Sequence, residues 1–290
     1  MIEKHKLRIG CPIWSCPQWR GKVYKTKSPR TNWLKEYSQV FSTVEGNSTF
    51  YGIPAPETFK RWANETANGF RFALKFPRVV SHEKQLKNAE QETDQFLAGL
   101  DILHDADRLG PSFLQLGPGF DPSRMNVLRN YLECLPQQFP YAVEVRHLDF
   151  FKEPVESEFN QMLSELGIDR VIFDSRPLFC RQADDEIEQV SQQRKPKSPV
   201  RTTVTGSRPI LRLVGRNDLS LALPWVEEWT EQVAQWIDAD LDPYVFMHAP
   251  DDRFAPEFVQ MFIGKIQGKL KSVSDLPLRN APKKVQRSLF

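Results

Sequence analysis

Nine polar residues stand at or near the ends of short apolar runs, spaced so that they could converge on one small polar or anionic molecule. Glu45 closes the run 42–45, and Asn47 lies two residues further on. Side chains on one face of a strand recur every second residue. That count puts Lys75 in the matching place of 70–76, Gln115 in that of 112–116, and Glu144 with Arg146 in that of 141–146. Asp174, Arg212 and His248 take the corresponding places at 170–173, 209–214 and 244–247. Guanidinium groups can hold phosphate or carboxylate through two parallel N–H bonds, so Arg146 and Arg212, with Lys75, are read as anion holders. Glu45 and Glu144 are the candidate general acid and base, because burial raises a carboxyl pKa and a neighbouring cation lowers it. Asp174 is the third carboxylate of this set.

Further candidates flank these positions. His147 follows Arg146 and therefore points the other way, toward a loop or the helix layer. His82 lies seven residues past Lys75, close enough for a short loop to fold it over the mouth of the site. In the segment 45–54, Asn47, Thr49 and Tyr51 offer hydrogen-bonding groups beside Glu45, as one wall of a pocket or as a packed turn. Trp14, Trp19 and Trp62 would form an aromatic lid or cover the first loops. A structural ion-pair network is the competing explanation for so many charges. Its weakness is that such a network need not recur at strand end after strand end.

The elements that must position these residues alternate along the chain. Strand-like runs occur at 7–10, 42–45, 70–76, 112–116, 141–146, 170–173, 209–214 and 244–247. Helical spacing of apolar residues appears at 33–41, 84–109, 124–134, 156–166, 223–239 and 256–269, whereas the Trp-, Pro- and Gly-rich stretch 12–29 reads as an ordered loop. Crossovers of this length imply parallel pairing. The expectation is an α/β TIM barrel of eight strands and eight helices, forming a single domain over 1–290 with an extended loop before strand seven. An open doubly wound sheet is the alternative, but no GxGxxG follows the first strand and no phosphate-loop motif occurs. The loop, 180–205, has an acidic start (Asp184, Asp185, Glu186) and a basic end, and reads as a solvated flap that could cover a ligand.

Composition sets outer limits. The chain has 290 residues with 39 basic and 37 acidic side chains, so the net charge of +2 argues against indiscriminate nucleic-acid binding. A local basic patch including Arg194, Lys195, Lys197 and Arg201 could contact nucleic-acid phosphate. No uninterrupted apolar run is long enough to span a bilayer, and no apolar stretch follows the basic start, so a cytoplasmic protein without a membrane partner is expected. Four cysteines (Cys11, Cys16, Cys134 and Cys180) contain no CxxC pair. Structural roles are expected for Cys11 and Cys16, and no GxSxG nucleophile elbow is present. No cofactor is expected. Nothing in the chain reports its oligomeric state.

The residues collected so far resemble the YecE-like family of TIM-barrel proteins of unknown function. The resemblance is carried by Gly10 with Trp14, the run Val44-Glu45-Gly46-Asn47-Ser48-Thr49-Phe50-Tyr51, Trp62, Phe72-Ala73-Leu74-Lys75 with His82, Leu114-Gln115-Leu116-Gly117-Pro118, and Val143-Glu144-Val145-Arg146-His147. It covers roughly 7–265 and implies a complete TIM barrel without a reaction to transfer. At strand seven many relatives have Tyr-x-Arg-x-His-Gly, where this chain keeps Arg212 but lacks the histidine. Three functions stay open. The first is a metal-independent hydrolase, lyase or isomerase acting on a small anionic or polyhydroxylated substrate. The second is a divalent-metal enzyme using Glu45, Glu144, Asp174 and His248, and the third is a binding protein for a phosphorylated ligand or nucleic acid.

Overall fold

A computed structural model describes residues 7–270. Eight strands are present: β1 (Arg8–Gly10), β2 (Thr43–Gly46), β3 (Arg71–Leu74), β4 (Ser112–Gln115), β5 (Tyr141–Glu144), β6 (Asp169–Asp174), β7 (Ile210–Val214) and β8 (Tyr244–His248). Every ladder between them is parallel.

The single closed eight-stranded TIM barrel expected from the sequence does not form. Six strands make one half-barrel sheet in the order β1-β8-β7-β6-β5-β4, and β2 and β3 pair separately. The physical reason lies at the two seams. Between β1 and β2, side-chain hydroxyls occupy ladder positions: Ser42 Oγ accepts from Ile9 N at 2.9 Å, and the Tyr37 hydroxyl accepts from Cys11 N at 2.8 Å while donating to Thr43 O at 3.1 Å. Gly10 is required there, because a Cβ at that position would lie 2.0 Å from Thr43 O. Between β3 and β4 only isolated bridges form, Phe72 with Leu109 and Lys75 with Phe113. The doubly wound alternative fails too, since strand order around the larger sheet never reverses to create a switch point.

The helices are α1 (Trp33–Tyr37), α2 (Ser48–Tyr51), α3 (Pro56–Glu65), α4 (Glu90–Asp105), α5 (Met125–Glu133), α6 (Val155–Glu165), α7 (Glu186–Arg194), α8 (Leu223–Asp238) and α9 (Ala255–Ile266). The helical stretch expected from residue 84 starts only at Glu90. Gln85, Leu86 and Asn88 have φ of 48°, 68° and 52°, a left-handed conformation that cannot propagate a right-handed helix. Helix α3 is not among the expected elements, although Pro56 sits in its first turn and Phe59, Trp62 and Ala63 recur at helical spacing on its buried side.

The expected extended loop before strand seven is in part helical, though its surface is largely exposed. Residues 186–194 are the helix α7, whose N-cap Asp185 accepts a hydrogen bond from Glu188 N at 2.8 Å. The fully buried Arg216 guanidinium anchors it. That group pairs with Glu188 and donates to Arg181 O at 2.9 Å and Gln182 O at 2.8 Å.

Most apolar side chains form one core between strands and helices. A smaller cluster of Ala73, Phe113, Ala142, Val171, Ile210, Tyr244 and Phe246 joins side chains from six strands. Counting two residues onward from these positions leads to Lys75, Gln115, Glu144, Phe173, Arg212 and His248. The polar layer is therefore stacked on an apolar plug. None of the helices among the described residues is long and apolar enough to cross a membrane.

Candidate active site

The carboxyl ends of the strands open into a cleft of ≈ 930 Å³. Its walls include Glu45, Asn47, Lys75, Gln115, Arg146, Arg212 and His248, and it continues past Tyr51 to Ile187, Val190, Arg194 and Lys195 of the α7 segment and to Asp252 after β8.

Arg212 organises the floor. Its Nε and Nη2 donate to the two oxygens of Glu45 at 2.8 and 2.7 Å, and its Nη1 pairs with Glu144. Asn47 Nδ2 adds a bond to Glu45 Oε1 at 2.7 Å, and His248 Nε2 lies 3.0 Å from Oε2. Each Glu45 oxygen thus has two partners. Burial alone would raise the Glu45 carboxyl, but Arg212 and His248 outweigh it and hold the group well below the usual carboxylate range. Glu144 is lowered in the same way: burial opposes the shift, and Arg146, Arg212 and Lys75 prevail. His248 is pushed down to about 4 by burial against the pull of Glu45, so a neutral ring donates Nε2–H to that carboxylate near pH 7.

The adjoining wall is built differently. Lys75 Nζ donates to Gln115 Oε1 at 2.9 Å and rests 3.7 Å from the Phe50 ring centroid, without a carboxylate partner among the described residues. Burial, reinforced by repulsion from Arg212, lowers its amine from 10.5 to about 7. Gln115 Oε1 also accepts from Arg146 Nη2 at 3.3 Å. Arg146 pairs with Glu144, but its Nε has no acceptor among the described residues. Lys195 has neither a side-chain hydrogen bond nor an ion pair among them; burial and Arg212 lower its amine to about 8. In the same cleft, burial raises the Asp252 carboxyl to about 6, with Lys195 opposing and Asp251 reinforcing the rise.

Other expected residues lie elsewhere. Asp174 was placed on the inner face, yet Phe173 is the inward residue of β6: its ring lies 4.1 Å from the Arg146 guanidinium carbon. Asp174 points to the helix layer and accepts from Trp229 Nε1 at 2.7 Å and Arg176 Nη2 at 2.8 Å. His147 caps the turn Leu148–Phe151, its Nδ1 accepting from Asp149 N at 3.3 Å, and is absent from the cleft wall. His82 stands behind that wall, edge-on to Phe50 with ring centroids 5.1 Å apart, and burial with Lys75 lowers it to about 4. Thr49 is buried and donates to Lys75 O at 2.6 Å, so it holds the lysine's backbone and does not face the cleft. Trp14 and Trp62 pack edge to face at 5.2 Å, and Trp19 donates to Asp252 O at 2.9 Å. None of the three forms a lid. Cys11 and Cys16 are buried free thiols that burial pushes up, away from nucleophilic character.

The metal-binding alternative loses its ligand set. Asp174 is on the other face, and both oxygens of Glu45 already serve Arg212. Among the described residues no group of three or more His, Cys, Asp or Glu side chains is arranged around a metal position. The proposed phosphate patch is dispersed as well: Arg194 and Lys195 line the cleft, Lys197 rests on Phe179, and Arg201 pairs with Glu156.

The family described as "protein of unknown function DUF72" matches residues 8–285. The chain belongs to the DUF72 family. Within it, the chain is 36% identical over 270 residues to the UPF0759 protein YecE of Escherichia coli K12, covering 93% of this chain and 96% of that protein. The fold is shared with the crystal structure of a DUF72 protein from Enterococcus faecalis V583 (TM-score 0.69, 17% identity, 96% of this chain and 99% of that one). It is also shared with a DUF72 protein from Thermotoga maritima MSB8 (TM-score 0.65, 20% identity, 92% of this chain and 100% of that one). Against this DUF72 background, Asp252 has no sequence signal as a cleft residue because it lies in a connection, where no strand period assigns a direction, and Lys195 is expected only within the basic patch and the flap. The one legible signal was the capping pattern Asp185-x-x-Glu188, which marks α7 and hence carries Lys195 to the mouth.

Proposed function

We propose that the protein is a metal-independent enzyme that binds a small organic anion and moves a proton on it. The observation that carries this reading is the set of incompletely partnered cations lining one cleft: Lys75, Lys195 and Arg146. Desolvated charges without full partners are costly, and an anionic ligand supplies what they lack. Carboxylate and phosphate groups both fit Arg146 flanked by two amines.

Within this reading Glu45 and Glu144 stay ionised and position Arg212, which fixes the floor electrostatically. The cleft groups with proton affinities close to neutrality are Lys75, at about 7, Lys195, at about 8, and Asp252, at about 6. An amine poised at that value can take a proton from a bound anion or return one, and Asp252 offers a second exchange site in the same cleft. Proton transfer of this kind serves isomerisation, elimination and hydrolysis alike. The free cysteines are compatible with a reducing, cytoplasmic setting.

The test is calorimetric titration with inorganic phosphate and small carboxylates, using the wild type, Lys75→Met and Arg146→Met. The reading requires saturable binding that weakens at least about tenfold in either variant, which is the loss of one charge-assisted contact. Failure of every anion to bind the wild type overturns it.

A further inference from the structure

We infer that the anion accepted by this cleft carries an apolar body, which lies between Tyr51 and the Ile187/Val190 face of α7 while its charged end reaches Lys75 and Arg146. The inference rests on the anion-binding reading and adds the other half of the ligand. Its basis is a coincidence of placement. The large exposed hydrophobic side chains among the described residues are Tyr51, Leu148, Ile187 and Val190, at 81%, 55%, 46% and 41% exposure. Three of them, all but Leu148, line this cleft.

The pattern of α7 makes the placement harder to dismiss as incidental surface. A surface helix ordinarily buries its apolar stripe. Here Glu188 is the buried residue, taken up by Arg216, while Ile187 and Val190, three residues apart on one helix face, are left open on the cleft side. The helix is held in that orientation by Arg216 and by Gln192 Nε2, which donates to Leu178 O at 2.8 Å. Elsewhere on the lining, Tyr51 meets Phe50 edge to face at 5.3 Å, and Phe50 in turn underlies Lys75 Nζ. Aromatic surface therefore runs from the rim down to the amine. A cleft of ≈ 930 Å³ has room for far more than a bare phosphate or carboxylate. Burying a ring-sized body there excludes water from both the ligand and the rim.

The experiment compares ligands of matched charge. Calorimetry with methyl phosphate and phenyl phosphate, and with acetate and benzoate, is run on wild type, Tyr51→Ser and the double variant Ile187→Ser/Val190→Ser. Exposed positions are chosen so that folding is retained. Wild type is expected to prefer the phenyl member of at least one pair by about tenfold or more, the scale expected for burying part of a ring. In the rim variants that preference falls to about threefold or less, while methyl phosphate or acetate affinity is unchanged. Equal affinity within both pairs, or a preference that survives in both variants, overturns the inference and leaves the anion-binding reading standing. Absence of binding by all four ligands overturns both.

Discussion

Arg212 and Lys75 occupy the same polar layer, two residues beyond members of the same apolar plug, and their surroundings could hardly differ more. Arg212 is enclosed by two carboxylates that hold its proton firmly, whereas Lys75 has an amide oxygen, an aromatic face and no carboxylate. Burial costs both of them hydration. For Arg212 the protein itself returns that cost through three directed bonds to Glu45 and Glu144. For Lys75 much of it goes unreturned, and the amine falls to about 7. The difference separates a charge that builds the site from a charge left for something else to satisfy.

The largest break in this comparison comes from Arg212→Met. Two buried carboxylates would lose their shared partner, and stability should fall by about 3–5 kcal/mol in urea melts. A loss below about 1 kcal/mol would mean that the floor is not an obligate network. Asp174→Asn should cost less, about 1–3 kcal/mol through the Arg176 and Trp229 bonds, and should leave anion affinity untouched because that carboxylate faces the helix layer. Loss of binding in a well-folded Asp174→Asn protein would put Asp174 back in the site.

Lys75→Met should do the reverse of Asp174→Asn, weakening anion binding while leaving stability intact or improved. Its pH signature has a definite sign. The folded amine has a lower pKa than the unfolded one, so between about 7 and 10.5 the unfolded chain binds more protons and stability rises with pH. Below about 7 both states are protonated and the penalty is fully present. Urea melts from pH 6 to 10 should show that rise in wild type and a flatter profile in Lys75→Met. Parallel profiles would remove the unreturned cost from the account. The smallest effect belongs to Asp252→Asn, which relieves competition for Lys195 and should strengthen anion binding by about two- to fivefold near pH 7.

What could be read from the sequence follows from which parts of the fold are periodic. Lys75, Gln115, Arg146, Arg212 and His248 reach one cleft, with Glu144 held against Arg146 and Arg212, because strand backbones alternate their side chains, and counting in twos carries that information. The count failed at Asp174 because Val171-Ile172-Phe173 is apolar on both faces and offers no alternation to set its direction. The seams were beyond reach for a different reason. Whether Ser42 and Tyr37 hydroxyls displace ladder bonds depends on how closely β1 and β2 approach, a distance that propensity and hydrophobic pattern do not encode. Lys195 and Asp252 sit on connections, whose geometry is set by α7 and the Arg216 anchor and by no local repeat.

The most direct test is site-resolved NMR titration of the Lys75 amine, assigned with Lys75→Arg, in the absence and presence of inorganic phosphate. The account predicts a midpoint near 7 for the free protein, moving upward as phosphate binds and supplies the missing counter-charge. A midpoint near the ordinary 10.5, unmoved by phosphate, would contradict it.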